Sequence, residues 1–417
     1  MYRCMTELKA LVVDIDSFEK IDEDAVNNLA WDYQCLFLTS DEEKKNQLVS
    51  QFGEDAVYFM NKFLRAFAPS QITHGIVLNL LKVKTTEIAY VSCDIDFLRH
   101  ALTFCSGTIW ITNRITYEEV STSPDLIMPD LAELVDCLEH DRGGFLGENV
   151  IENKENASGF MVQVNFLSDR KKTTLFTLGR YYAQTHYMKQ KHQYSAAIYH
   201  NKKSGGKCYG IYEDDFLTLY RLAISKIAEH IEIDGICAVP PHQGEKSRFD
   251  YIIKQISEEL GIKNYGKKFV CVKNYPKQKG MTSYGRQENI EDAFEYQGSL
   301  EDKIVVIIDD VVTTGATLKE CIRELYRAGA SRVFPVVLGV NQFPGNYWSS
   351  DVPDIVCPNC GRPMNLFINS RTKAFFYSCY ECRKSINFQD GWKQFCDKVN
   401  SEKYLPESPQ KESEPMK

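Results

Sequence analysis

The 417-residue sequence predicts an α/β protein, with two doubly wound parallel-sheet domains and a small cysteine-rich ribbon. Three observations predict it. Continuous β-branched runs such as 303–309 and 331–340 alternate with helical patterns, as in sheets covered on both faces. That alternation occurs twice, over residues 1–140 and 176–345. Beyond it, residues 351–395 are short-stranded and turn-rich and hold two Cys-x-x-Cys pairs.

Composition narrows the class. Apolar residues are 43% and charged residues 25%, which excludes collagen-like, fibrous and disordered chains. The longest pure apolar run, Ile304–Ile308, is far short of the ~18 residues of a membrane span. Acids come too early in the first residues for a signal peptide. The expectation is a cytoplasmic protein with no membrane partner. A net charge of -8 argues against a chain that coats nucleic acid. Ten of the 14 cysteines, among them Cys35, Cys105, Cys237 and Cys271, are scattered through apolar or mixed segments. They read as small, buried, reduced thiols.

The first domain, 1–140, opens with the strand ALVVDID, which ends in Asp14-x-Asp16. A second strand, CLFLTS, carries Thr39 near its end. A third, EIAYVSCDID, ends in Asp94 and Asp96, and GTIWIT and PDLIMPDLAELVDCL follow. In this order the strings resemble the haloacid dehalogenase-like (HAD) superfamily. The resemblance implies that Asp14 is a phosphoryl-accepting nucleophile and Asp16 a general acid/base. Asp94 or Asp96 would complete a magnesium shell. Ser92-Cys93 stand where that superfamily usually reads Gly-Asp. Its lysine is not evident, although His74, Lys82 and Lys84 lie nearby. These departures favour a degenerate domain over an active small-substrate phosphatase.

Residues 141–175, with Gly143-Gly144 and the run ENKENASG, read as a polar connecting segment. From 176 the alternation resumes. Phe216, Leu219, Tyr220, Ala223, Ile224 and Ile227 fall on one helical face. The runs IDGICAVP and KKFVCVK read as central strands, and a helix over 318–328 is stopped by Gly329. Such a sheet binds its ligand at the carboxyl ends of the strands.

The most informative string is Ile304–Thr317, IVVIIDDVVTTGAT. A strand ends in two acids, Asp309 and Asp310. Thr313, Thr314, Gly315, Ala316 and Thr317 then lead into a helix. A helix N-terminus presents open N–H donors and a positive dipole end to a phosphate. Gly315 permits close backbone approach, and the threonine hydroxyls add donors. The adjacent acids would repel phosphate; they suit ribose hydroxyls or a shared magnesium ion. Neither a Walker loop nor a Rossmann loop is present.

This string resembles the phosphoribosyl-pyrophosphate (PRPP) motif of type I phosphoribosyltransferases. Upstream, Arg286–Phe294 (RQENIEDAF) resembles a motif of the branch related to the competence protein ComF. The resemblance implies that Asp309 and Asp310 hold the ribose hydroxyls of PRPP, and that 313–317 hold its 5′-phosphate. It implies a pyrophosphate loop at Pro240-Pro241-His242-Gln243-Gly244. It also implies a catalytic lid over 273–286, where Lys277, Lys279 and Arg286 would neutralise departing charge. Thr313 stands where hypoxanthine-guanine enzymes carry an acid, which weakens the likeness to that branch.

Cys357-x-x-Cys360 and Cys379-x-x-Cys382 are separated by 18 residues. Two such pairs are a zinc signal, and four thiolates close a structural tetrahedral shell. The strands NLFINS and AFFYSC between them fit a zinc ribbon. Arg371, Lys373, Arg383 and Lys384 with Phe375, Phe376 and Tyr377 offer a surface for protein or nucleic acid. Residues 398–417 read as a disordered tail. The whole predicts a magnesium-dependent phosphoribosyltransferase using PRPP, or a related nucleotide, and a nitrogenous base. One alternative is a non-catalytic sensor acting through the ribbon. Another is a bifunctional enzyme whose HAD-like domain dephosphorylates the product.

Overall fold

The computed structural model describes residues 7–66, 68–140, 143–152, 159–168, 171–183, 185–202, 206–273, 290–343 and 352–401. The first domain runs β1 (Ala10–Asp14), α1 (Glu23–Asp32), β2 (Gln34–Thr39), α2 (Glu42–Phe52), β3 (Val57–Phe59), α3 (Lys62–Ala66), α4 (Gln71–Leu81) and β4 (Ile88–Ser92). It continues with α5 (Ile95–Thr103), β5 (Gly107–Ile111), α6 (Tyr117–Val120), β6 (Leu126–Met128) and α7 (Leu131–Glu139). Its sheet has six parallel strands in the order β3-β2-β1-β4-β5-β6. All five residues of each of β1, β4 and β5 are buried, as expected of strands covered on both faces. Asp14, Thr39 and Ser92 end three adjacent strands on one edge of this sheet.

The second domain runs α8 (Leu146–Glu152), β7 (Val162–Ser168), β8 (Lys171–Thr177), β9 (Arg180–Tyr182), α9 (Gln193–Lys202), α10 (Glu213–Ala228), β10 (Gly235–Ala238) and α11 (Asp250–Leu260). It then runs β11 (Lys263–Asn264), β12 (Phe269–Cys271), β13 (Phe294–Tyr296), β14 (Ile304–Val312), α12 (Ala316–Arg327) and β15 (Arg332–Gln342). Its sheet follows β11-β10-β14-β15-β8-β7, with β9 also on β15. It is parallel except for the β7–β8 hairpin, so the sheet is mixed. The six apolar residues read from the sequence of α10 are the six that it buries. Burial of each of the Phe, Leu and Ile side chains among them contributes roughly 1.5–3 kcal/mol.

Two stretches differ from the sequence reading. The segment expected to connect, 141–175, carries α8, β7 and most of β8. Val162, Val164 and Phe166 alternate inward and are buried, so this hairpin is half of a core and not a spacer. The run KKFVCVK is not a central strand. Its β12 pairs antiparallel with β13 in a separate two-stranded sheet. Only Phe269 of β12 is buried, too little apolar surface for the interior of a parallel sheet.

The ribbon comprises β16 (Asn365–Ile368), β17 (Phe375–Ser378), β18 (Ser385–Asn387) and α13 (Phe388–Val399). Its three strands form an antiparallel sheet. Helix α13 extends past 395, two residues into the stretch expected as tail. The modules are not beads on a string. One apolar cluster runs from Val12 and Tyr90 of the first domain through Val164 and Phe166 to Val305 and Leu318 of the second. Among the described residues, no helix is long and apolar enough to cross a membrane.

Candidate active site

Strand β14 is buried from Val305 to Ile308 and becomes half-buried at Asp309, where its apolar run ends. Gly315 follows with φ +75°, a conformation costly for any side chain, and α12 begins at Ala316. A Cβ added at Gly315 would meet the Phe166 ring at 2.8 Å. The close approach expected of this glycine is therefore made to Phe166. Among the described residues, no acceptor takes the N–H groups of Thr314, Gly315, Ala316 or Thr317. Four donors thus stand open at the start of a twelve-residue helix.

Both acids belong to the same end of the sheet. Asp309 Oδ1 accepts from the Asp310 N–H at 2.8 Å, and Asp310 Oδ1 from the Val311 N–H at 2.7 Å. Tyr220 on α10 donates to the Asp309 carbonyl at 2.6 Å, tying the strand end to the helix behind it. Asp310 Oδ2 accepts from Arg248 Nη1 at 2.5 Å and lies 3.5 Å from Lys202 Nζ. Burial and the neighbouring Asp310 carboxylate push Asp309 up. Burial also acts on Asp310, but Lys202 and Arg248 outweigh it and hold that carboxyl down. The two neighbours are thus pushed apart, ionisation being favoured at Asp310 and opposed at Asp309.

Asp309 and Thr317 line a cleft of about 740 Å³, whose other wall is the loop after β10. Pro240, Pro241 and His242 belong to that wall, and Gln243 is exposed beside it. Asp310 lines an adjoining cavity of about 260 Å³ that shares Lys202, Tyr209 and Arg248 with the cleft. The structure therefore brings together the paired acids, the Thr-rich turn and the Pro240–Gly244 loop. Lys277, Lys279 and Arg286 lie outside the described residues. Sequence reasoning missed Lys202, Tyr220 and Arg248. Arg248 had a signal, being a cation four residues beyond Gly244; Lys202, 108 positions before Asp310, had none.

The first domain has its own acid cluster, and it is closed. Asp14 is fully buried. Its Oδ1 lies 2.7 Å from Arg65 Nη2, and its Oδ2 accepts from Arg65 at 2.9 Å and from Ser92 Oγ at 2.8 Å. Burial pushes its carboxyl up despite those partners. Asp16 accepts from Thr39 Oγ1 at 2.6 Å and from the Ser40 N–H and hydroxyl, both at 2.7 Å. Burial opposes ionisation of Asp16, and these bonds overcome it. Asp94 and Asp96 do not join. Asp94 caps α5 by accepting from the Asp96 N–H, and Asp96 points to Arg99 at 2.9 Å. No set of three first-domain carboxylates gathers its oxygens within 4.8 Å among the described residues. His74 is buried, with its two ring nitrogens on the Tyr90 and Thr85 hydroxyls. The cation beside Asp14 is Arg65, which no sequence motif singled out.

At the ribbon, Cys357, Cys360, Cys379 and Cys382 bring their sulfurs within 4.8 Å of one another. The Cys357–Cys382, Cys360–Cys379 and Cys360–Cys382 distances are 3.3, 3.6 and 3.8 Å. Disulfide sulfurs would stand at about 2.05 Å. Zinc–sulfur bonds of about 2.3 Å place tetrahedral sulfurs ~3.8 Å apart. The cluster fits a structural zinc ion. Two matching turns build it: Gly361 donates to the Cys357 carbonyl, Arg383 to that of Cys379, and both have positive φ. Lys373 pairs with Asp215 and its carbonyl accepts from Tyr212, so the hairpin tip faces the second domain. Arg371, Arg383 and Lys384 remain exposed.

Residues 252–342 match the family described as the phosphoribosyl transferase domain. Competence protein F of Haemophilus influenzae is 31% identical over 87 residues, which are 20% of this chain and 38% of that protein. The chain carries a ComF-like type I phosphoribosyltransferase domain. It spans under two fifths of the length of that curated relative. The solved structure of Leishmania donovani UMP synthase overlays with a TM-score of 0.23 at 14% identity, covering 81% of this chain and 66% of that one. So loose an overlay carries no argument. The matched span begins inside α11 and ends with β15, so the phosphoribosyltransferase domain owns the paired acids and the Thr-rich turn.

Proposed function

We propose that the second domain binds PRPP with magnesium and transfers its ribosyl 5-phosphate to a nitrogenous base. One observation carries this reading. A ~740 Å³ cleft has Asp309 at the end of β14 and Thr317 at the start of α12 on one side and the loop after β10 on the other, and Asp310 lines the cavity that adjoins it. The turn 313–317 would hold the 5′-phosphate, Asp309 and Asp310 the ribose hydroxyls, and Pro240–Gly244 the pyrophosphate. Carboxylate oxygens suit magnesium, which would neutralise pyrophosphate charge when bound. Lys202 and Arg248 add fixed positive charge at the same place. Catalysis is then positioning and electrostatic stabilisation while the bond from the anomeric carbon to pyrophosphate gives way to one from a base nitrogen.

We read the first domain as HAD-like and catalytically silent. A guanidinium occupies the place beside Asp14 that a metal and a phosphoryl group would need. The sensor reading keeps the ligand, lacks turnover and acts through the ribbon. The test is release of pyrophosphate from PRPP over a panel of bases, with and without magnesium. The expected result is magnesium-dependent release by the wild type and none by Asp309→Ala/Asp310→Ala. PRPP binding without release over the whole panel favours the sensor; no binding at all ends both.

A further inference from the structure

The turn that would hold the 5′-phosphate is braced by the other domain. Tyr117, the first residue of α6, donates its hydroxyl to the Thr313 carbonyl across 196 positions of sequence. Its ring meets Phe166 edge-on at 5.5 Å between centroids. Phe166 in turn lies where a Gly315 side chain would be and carries Lys319 Nζ over its face at 5.3 Å. Neither ring lines the ~740 Å³ cleft.

Helix α6 does not reach this place by accident of packing. The Asn165 N–H donates to the Ile115 carbonyl at 2.9 Å, which seats α6 on β7. Gln342 at the end of β15 donates to the Val120 carbonyl at 3.0 Å and accepts from the Ser123 N–H at 2.7 Å. The four-residue helix is thus clamped at both ends by the second domain. A phenol is protonated and a donor at neutral pH, and burial pushes the Tyr117 hydroxyl further up.

We propose that Tyr117 is a positioning residue for the phosphate turn, and that this brace is a role retained by the first domain. In a trans peptide the carbonyl and the following N–H point in opposite directions. A carbonyl of Thr313 held by Tyr117 therefore turns the Thr314 N–H away from α6. That donor is one of the four that stand open. Without the hydroxyl the 313–314 peptide is free to rotate, and a phosphate must order it on binding.

This inference rests on the PRPP reading and predicts a split between two halves of that ligand. The experiment is calorimetric titration of the full chain and of Tyr117→Phe with ribose 5-phosphate and, separately, with magnesium pyrophosphate. The wild type binds both. Tyr117→Phe weakens ribose 5-phosphate by about three- to tenfold, the worth of one hydrogen bond, and leaves pyrophosphate within about twofold. Unchanged ribose 5-phosphate affinity overturns the brace while the PRPP reading stands. Equal weakening of both ligands also overturns it, since that marks general loosening. A wild type that binds neither ligand removes the PRPP reading and the brace with it.

Discussion

Gly315 sits where two constraints meet. Its φ of +75° disfavours any side chain, and the Phe166 ring leaves no room for one. Gly315→Ala should therefore cost about 1–2 kcal/mol in stability from the backbone alone. It should also shift the turn, so ribose 5-phosphate affinity falls. Adding Phe166→Ala relieves the contact but not the dihedral, and titration of the double variant should recover only part of the affinity. Full recovery would mean that the backbone conformation is unimportant. The paired acids illustrate a second residue-scale lesson. Asp309 and Asp310 were legible because their chemistry lies in one short string. Arg248, which holds Asp310 from 62 positions away, and Arg65, which holds Asp14 from 51, were not. A sequence reveals what a residue can offer more readily than which distant residue will take it.

At the scale of elements, local strings fared best. The strand–turn–helix unit of β14 and α12 and the two Cys-x-x-Cys turns are each built within a few residues, so their geometry follows from their order. Strand β12 was legible as a strand but not by partner, because β-branched texture does not say which sheet a strand joins. The alternation Val162, Val164, Phe166 was the available signal for β7 in a stretch read as a connection. The ribbon yields its own prediction. Its sheet has three short strands, and its four sulfurs cluster without a disulfide among them. One zinc ion per chain is expected by elemental analysis. Chelation, or Cys360→Ser, should lower the melting temperature of the full chain. The ribbon strand carrying Leu366 is held by Gln190 at 2.8 Å, so loss of the ion should also loosen the wall around Gln190. A fully folded chain containing no zinc would refute the assignment.

The whole molecule is joined by a buried ionic network. Arg180 on β9 is 1% exposed; it donates to Glu148 on α8 at 2.9 and 2.7 Å and to Asp125 of the first domain at 2.7 Å. Removing the guanidinium strands two buried carboxylates. Arg180→Met should cost about 3–5 kcal/mol, read as a lower denaturation midpoint. The network also sets an acid limit. Burial pushes Glu148 up, but Arg180 and His192 outweigh it and hold the carboxyl well below its usual range. That stabilisation is present above the ordinary carboxylate pKa and lost as pH falls toward the depressed one. Wild-type stability should fall through that window, and Arg180→Met should show a shallower decline. Part of the fold class was legible at this scale and the joining was not, because Asp125 and Arg180 look like surface charges until they meet. Their meeting has a consequence for biogenesis. A chain emerging amino end first from the ribosome presents Asp125 before Arg180 and Gln342 have been translated. The nascent amino-terminal half must wait, incompletely sealed, for β9 and β15, so it should need chaperone protection that the finished polypeptide does not.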